Sequence, residues 1–410
     1  MRKSTFSARI RILLFAVLGV LIFTGCVSGR NGVSWADLEL VGDNQNILVS
    51  FRDYMILIDP ITGQPVPLVD SEGTVRVDAD GNPRKWEVQN DGSEFYSSPI
   101  FVDDDLMLVA DYNERLLTVN FASARIEDPT GVEIPGHVIV DLITNEEGTI
   151  LYLPLSDRDL VAYDIDTMTE LWRWETERGI WADIIVVDDV LYVASIDHHV
   201  YSLDAITGTL NWQLDLEGAV AAAPVWSEDR LYIGTLDRKI FMISVDGEFI
   251  GEPLEMEDWV WSTPVLQDGL LYATDLSGHV YAAEPTDDGF NLIWKIKASD
   301  DGIRASPIVT DDHVIVGDRG GHVFWFNRDD GQPVMVEGEE GLEPLEREVG
   351  SEILSDMLVI RRQSQEETSE TSTGNSEERS DLLIVSTVNN GRLLVAFTLN
   401  DGIRRWDFGR

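Results

Sequence analysis

Residues 195–213 read SIDHHVYSLDAITGTLNWQ. A run of strand-forming residues ends at Asp204, passes through Thr207 and Gly208, and reaches Trp212. The Asp204 carboxylate can accept backbone N–H groups of the turn that follows, and Gly208 supplies the backbone freedom which that turn needs. Trp212 then opens a new strand with a large flat ring to bury. Weaker copies of this line recur along almost the whole chain, so the stretch is one unit of a repeat.

Working outward, each unit holds a short strand after a small-residue-Pro step, an acidic turn, a second strand, another turn, and a third strand ending in Asp. A Thr-Gly turn and a Trp complete it. The opening step occurs at Ser98-Pro99, Ala223-Pro224, Thr263-Pro264 and Ser306-Pro307, with Asp141, Asp183 and Asp356 in register where Pro is absent. Successive steps are 42, 42, 41, 40, 43 and 49 residues apart. A further unit upstream uses 47–50 and 55–59 as its second and third strands and Thr62-Gly63 as its turn, which makes eight. Strands rich in Val, Ile, Leu and Tyr, with a period near forty and no long helical periodicity, predict an all-β fold. The expected architecture is an eight-bladed β-propeller of four-stranded antiparallel blades; a stacked β-solenoid fits less well because its repeats are usually shorter. The recurring Trp is expected to bury its ring against the neighbouring blade.

Composition narrows the function. Thirty Lys and Arg face 74 Asp and Glu, and the net charge of -44 repels the phosphates that a nucleic-acid binder must neutralise. The single cysteine, Cys26, leaves no intramolecular disulfide, no redox pair and no cysteine-built zinc site. Arg2, Lys3, Arg9 and Arg11 precede an apolar run at 12–23, which is shorter than a bilayer-spanning helix requires. The run ends in Phe23-Thr24-Gly25-Cys26, which resembles the lipobox of bacterial lipoprotein signal peptides, with Phe23 in place of the usual Leu. The expected organisation is a signal peptide at 1–25, a tether at 26–36 lipid-anchored through Cys26, and a single monomeric propeller at 37–410. Residues 361–380 lack aromatic and aliphatic anchors and are expected to form a mobile insertion between the first two strands of the last blade. Two more irregular stretches are 70–92, which ends near a candidate docking Trp86, and a small insertion at 338–347.

The repeat resembles the pyrroloquinoline-quinone-type repeat propellers, whose docking motif has the form Ala-x-Asp-x-x-x-Gly-x-x-x-Trp. Ser202, Asp204, Thr207, Gly208 and Trp212 match it nearly in full. Ala162, Asp164 and Trp172 match with Met168 in place of Gly, and Ala396, Gly402 and Trp406 match with Thr398 in place of Asp. Trp294 ends a unit one residue longer, while Asp59 with Gly63 and Asn327 with Gly331 keep the turn and lose the Trp. Quinoprotein dehydrogenases share this repeat and, as the resemblance implies, would hold a quinone with calcium at the hub. Many add a disulfide of adjacent cysteines, which this chain cannot form, and no localised set of carboxylate, Asn and base stands out from the repeat. No catalysis, cofactor or metal is therefore expected.

Other candidates read as structural. His199, His279 and His322 take equivalent positions at the turn into the third strand, on separate blades, too far apart to converge on one ion. Asp78, Asp80 and Asn82 hint at a calcium loop, yet Pro83 stands where an EF-hand needs Gly, so an Asp-Gly turn is the better reading. The positions just before the first strands carry Tyr96, Trp261 and Arg304, with Trp181 one step along. They either pack the funnel or form a binding rim, since aromatic side chains and Arg anchor many interfaces. Similarity in anchor, blade number and repeat to the outer-membrane protein assembly factor B family implies a non-catalytic lipoprotein scaffold of the cell envelope. It would bind envelope proteins, among them a β-barrel assembly subunit, from the periplasmic face of the outer membrane or the outer face of the cytoplasmic membrane. The alternatives are a propeller that binds carbohydrate or another small ligand, and a quinone-dependent dehydrogenase.

Overall fold

The computed structural model describes residues 36–338, 341–362 and 380–410, and all of their strands lie in the unit Trp35–Arg410. Cys26 and the leader, residues 33–35, and residues 363–379 of the expected insertion lie outside the described residues. Eight sheets follow one another along the chain, at 37–89, 100–133, 143–175, 185–215, 225–255, 265–297, 308–348 and 358–408, here numbered blades 1 to 8. Seven are antiparallel four-stranded meanders in sequence order, and in blade 2 the fourth-strand place is shared by Arg125–Ile126 and Val132–Glu133, both paired to the third strand. The fold is an eight-bladed β-propeller.

Blade 4 shows how the sequence makes a blade. Its strands are Ile185–Val187, Val190–Ala194, His199–Asp204 and Leu210–Asp215. Side chains alternate across a strand, so Leu191 and Val193 pack towards blade 3, while Tyr192 and Ala194 pack towards blade 5. Because both faces are covered, the second strand is buried almost throughout; the outer strand, with one face in solvent, alternates. The same division gives eight apolar clusters, each shared by two neighbouring blades, and the core is a ring of seams.

The opening stretch of sequence is a seam device. Asp204 accepts N–H bonds from Ile206 and Thr207 at 3.1 and 2.7 Å and the Thr207 hydroxyl at 2.8 Å. These donors, the Thr207 hydroxyl first and its backbone N–H next, hold the Asp204 carboxyl below its ordinary range. Gly208, at φ +68°, lies beneath the Trp172 ring of blade 3, and an added Cβ would come within 2.6 Å of that ring. Trp212 in turn donates its indole N–H to the Val245 carbonyl of blade 5 at 2.7 Å. Trp86 does the same to Phe121 at 2.6 Å, Trp294 to Arg328 at 2.9 Å and Trp406 to Pro60 at 3.0 Å. Asp164 caps its own turn through the N–H and hydroxyl of Thr167.

Two details differ from the sequence expectation. The turn at Asn327 and Gly331 belongs to a blade that has not lost its Trp: Trp325, on the third strand His322–Asn327, reaches blade 8 and donates to the Leu399 carbonyl at 2.8 Å. The stretch 338–347 is also misplaced as an insertion. Met335–Gly338 and Gly341–Pro344 form an added hairpin, and the outer strand of blade 7, Glu346–Glu348, overlaps the end of that stretch. In blade 1, 70–92 contains two successive capped turns before the outer strand Glu87–Gln89. Asp78 accepts from the N–H groups of Asp80 and Asn82, both at 2.9 Å, which spends that carboxylate oxygen on a turn.

Among the described residues, the ring closes without a shared sheet. Blade 8 and blade 1 each hold four strands of their own, and side chains join them. Trp406 lies over Gly63, the Ser355 hydroxyl donates to the Ala36 carbonyl at 2.8 Å, and Arg410 bonds Glu87 at 2.6 Å while covering the Tyr54 ring.

Candidate functional site

At five of the strand entries the inner backbone N–H finds its acceptor across the seam, in the next blade. Ser98 N–H donates to Asp141 at 3.0 Å, Asp141 N–H to Asp183 at 2.8 Å, Ala223 N–H to the Thr263 hydroxyl at 3.2 Å, Thr263 N–H to the Ser306 hydroxyl at 3.1 Å, and Ser306 N–H to Asp356 at 2.6 Å. The belt therefore reads one register position around the hub, and Ala223, which offers no acceptor, interrupts it. The hydroxyl of Ser98 also donates to Asp37 at 2.9 Å, which brings blade 1 into the same circle.

Four carboxylates thereby meet at the hub: Asp37, Asp141, Asp183 and Asp356. They line a cavity of about 370 Å³, whose wall also carries Tyr96, Trp181, Trp261 and Arg304. Burial, then the charges of Asp37 and Asp183, raise the Asp141 carboxyl above its ordinary range, and Asp37 lies within hydrogen-bonding reach of it. Asp183 and Asp356 are raised too, first by burial and then by neighbouring carboxylates. Asp141 and Asp356 sit deep in the ring yet keep side-chain surface open to the funnel, so water tempers both shifts. Glu39, one turn of the pleat from Asp37, is pushed up to about 7, chiefly by burial, and its Oε2 is buried without a partner.

The aromatic wall is held from behind. The Tyr96 hydroxyl donates to Glu94 at 2.7 Å, and its ring lies 5.2 Å from that of Tyr112, which stacks on His137 at 4.5 Å. Trp181 donates to the Ser156 carbonyl at 3.3 Å. The guanidinium of Arg304 lies over the Trp261 ring, 4.7 Å from its centroid. Trp259, on the approach to Trp261, is 45% exposed. The four rim positions named from the sequence thus share one cavity.

The sequence does not mark these carboxylates as a group: Asp141, Asp183 and Asp356 stand at the register positions of the repeat and Asp37 at the edge of the tether, and the signal it does carry is an acid in place of the small residue at an inward-facing step. His199, His279 and His322 each lie beside the buried carboxylate of their own blade, Asp197, Asp275 and Asp318. Among the described residues, the ligand-type group whose donor atoms lie within 4.8 Å of one another is Asp301, Asp318 and His322, on blade 7. The hub carboxylates do not converge in that way, whereas calcium requires six to eight oxygens around one point. Their arrangement does not fit a calcium and quinone pair.

A family model described as outer membrane protein assembly factor BamB matches residues 156–262 and 250–407, more than half of the chain. The chain belongs to this family. The crystal structure of BamB from Moraxella catarrhalis superposes with a TM-score of 0.58 at 14% identity, covering 86% of this chain and 97% of that one. The computationally designed Ika8 protein gives a TM-score of 0.58 at 13% identity, covering 79% and 89%. No curated protein matches the sequence. At such identities the two structures share the fold with this BamB-type ring. Its repeated Asp, Gly and Trp positions hold blade to blade, and its hub differs from its seams in being acidic, aromatic and open.

Proposed function

We propose that this BamB-type propeller is a non-catalytic scaffold of the cell envelope, anchored by lipid at Cys26, that binds envelope proteins during outer-membrane protein assembly. The family match over 156–407, on a ring whose repeat motif is committed to docking its own blades, carries this reading. The signal-like leader supports export, and the acidic surface favours protein partners with basic patches over nucleic acid. Free edges of outer strands such as Thr169–Glu175, with its alternating exposure, offer a second contact mode, in which an extended client strand adds to a blade.

The test is crosslinking from the acylated protein in its native membrane. Enrichment of a β-barrel assembly subunit, lost on Cys26→Ser, is the expected result. Recovery of no specific protein, or quinone- and calcium-dependent dehydrogenase activity, would overturn the proposal.

A further inference from the structure

We propose that the hub funnel is the docking site for a basic segment of the partner protein, one of whose Arg or Lys side chains enters the cavity between the Trp181 and Trp261 walls and the carboxylates of Asp183 and Asp356. The inference rests on the scaffold reading and specifies where and by what chemistry the partner is held.

Three observations carry it. The cavity combines aromatic faces with carboxylates, the two surfaces that attract a guanidinium or an alkylammonium. The contact between Arg304 and Trp261 shows that this wall accepts a guanidinium over an indole face. The charge of -44, with four carboxylates drawn into one concave hub, favours approach of a basic segment and disfavours an acidic one. A compact metal ion is a poorer occupant, because the hub oxygens do not gather about a point, whereas a guanidinium spreads several N–H donors over a wide fork.

The groups facing the funnel give the interaction a pH signature. Asp37 comes from blade 1, Tyr96 from blade 2, Asp141 from blade 3, Asp183 from blade 4, Arg304 from blade 7 and Asp356 from blade 8, with Glu39 beside Asp37 and Glu94 bonded to Tyr96 behind them. Asp141, Asp183 and Asp356 have their carboxyls raised above the ordinary range by burial and by neighbouring carboxylates, and a bound cation favours their ionised form. Seating a guanidinium, which stays charged throughout, therefore releases protons, and binding tightens as pH rises.

The test titrates the full-length protein with a blocked arginine tripeptide, read by tryptophan fluorescence, and with its glutamate analogue. The expected result is saturable binding of the arginine peptide alone, tighter at pH 8 than at pH 6. Asp183→Asn, which keeps an oxygen for the Asp141 N–H, and Trp181→Ala, which leaves the seams intact, should each weaken it by roughly tenfold. Glu146→Gln, which removes the same charge from an exposed outer turn, should leave it unchanged. Equal weakening by Glu146→Gln, no weakening by either funnel variant, or saturation by calcium, spermidine or a neutral glycan in place of the arginine peptide would overturn the inference. Crosslinking then separates the two proposals: a partner captured undiminished by both funnel variants refutes the funnel and leaves the scaffold, whereas no partner captured by the wild type refutes the scaffold itself.

Discussion

The seam between blades 4 and 5 and the seam between blades 2 and 3 solve one problem differently. The first buries the Trp212 indole and ties its N–H to blade 5. The second has no indole, because the outer edge of blade 2 is split between the short strands Arg125–Ile126 and Val132–Glu133, and it is filled by aliphatic side chains and Tyr163 with Met168 packed against them. Met168 occupies the place that Gly208 holds one blade on, with φ +51° against +68°. A side chain is tolerated there because no ring lies above it; where the ring is present, only glycine fits. The glycine of the repeat thus follows from its neighbour's Trp as much as from its own turn.

That comparison can be tested in order of expected effect. Trp406→Ala should cost the most, about 4 kcal/mol, since the closing seam has no chain connection to hold its blades near each other once the ring is lost. A fall in the urea midpoint of that size, with a larger unfolding amplitude at the termini by hydrogen exchange, is the measurement; a loss no greater than that of Trp212→Ala would break the distinction between seams. Trp212→Ala should cost about 3 kcal/mol. Gly208→Ala should cost about 2 kcal/mol by driving a Cβ into the Trp172 ring, and the double variant Gly208→Ala with Trp172→Ala should cost less than the sum of the single changes. Met168→Gly should change stability by less than about 1 kcal/mol, because relief of the positive φ offsets lost packing.

The hub supplies a contrasting, smaller effect with a defined sign. Asp141, Asp183 and Asp356 are raised in the folded ring, so the folded state keeps protons that the unfolded chain has released. Their stabilisation is complete below the ordinary carboxylate range and is lost as pH rises through the folded values; Glu39, at about 7, acts in the same direction. The melting temperature should fall gently between about pH 6 and 9, where ordinary surface carboxylates no longer titrate. Asp141→Asn should flatten that slope, and an unchanged slope would show that the hub does not couple to folding.

These two regions also differ in how plainly the sequence reveals them. The seam motif is contiguous: Asp204, Gly208 and Trp212 lie within one hairpin, so spacing alone exposes the device. Trp325 escaped because its indole leaves from the third strand, where the repeat places no Trp, and only the position of blade 8 explains its use. The hub is assembled from residues some forty positions apart, such as Ser98, Asp141 and Asp183, each of which reads locally as a turn or strand entry. Their meeting follows from ring closure, which no single unit encodes. Tyr96, Trp181, Trp261 and Arg304 were legible because large side chains recur at an inward position, while the charge around them was not.

Closure by side chains, as the described residues have it, orders the making of the ring. As the polypeptide emerges from amino to carboxyl end, blade 1 is complete first, yet Ile47, Val49, Ile56 and Ile58 wait for Leu382, Ile384 and Leu394 to cover them. Every other seam can be sealed by the next forty residues synthesised, but this one requires the whole chain. The earliest blade therefore waits through synthesis of all the others with an apolar flank exposed, and that flank is where the unfinished chain is most prone to stick.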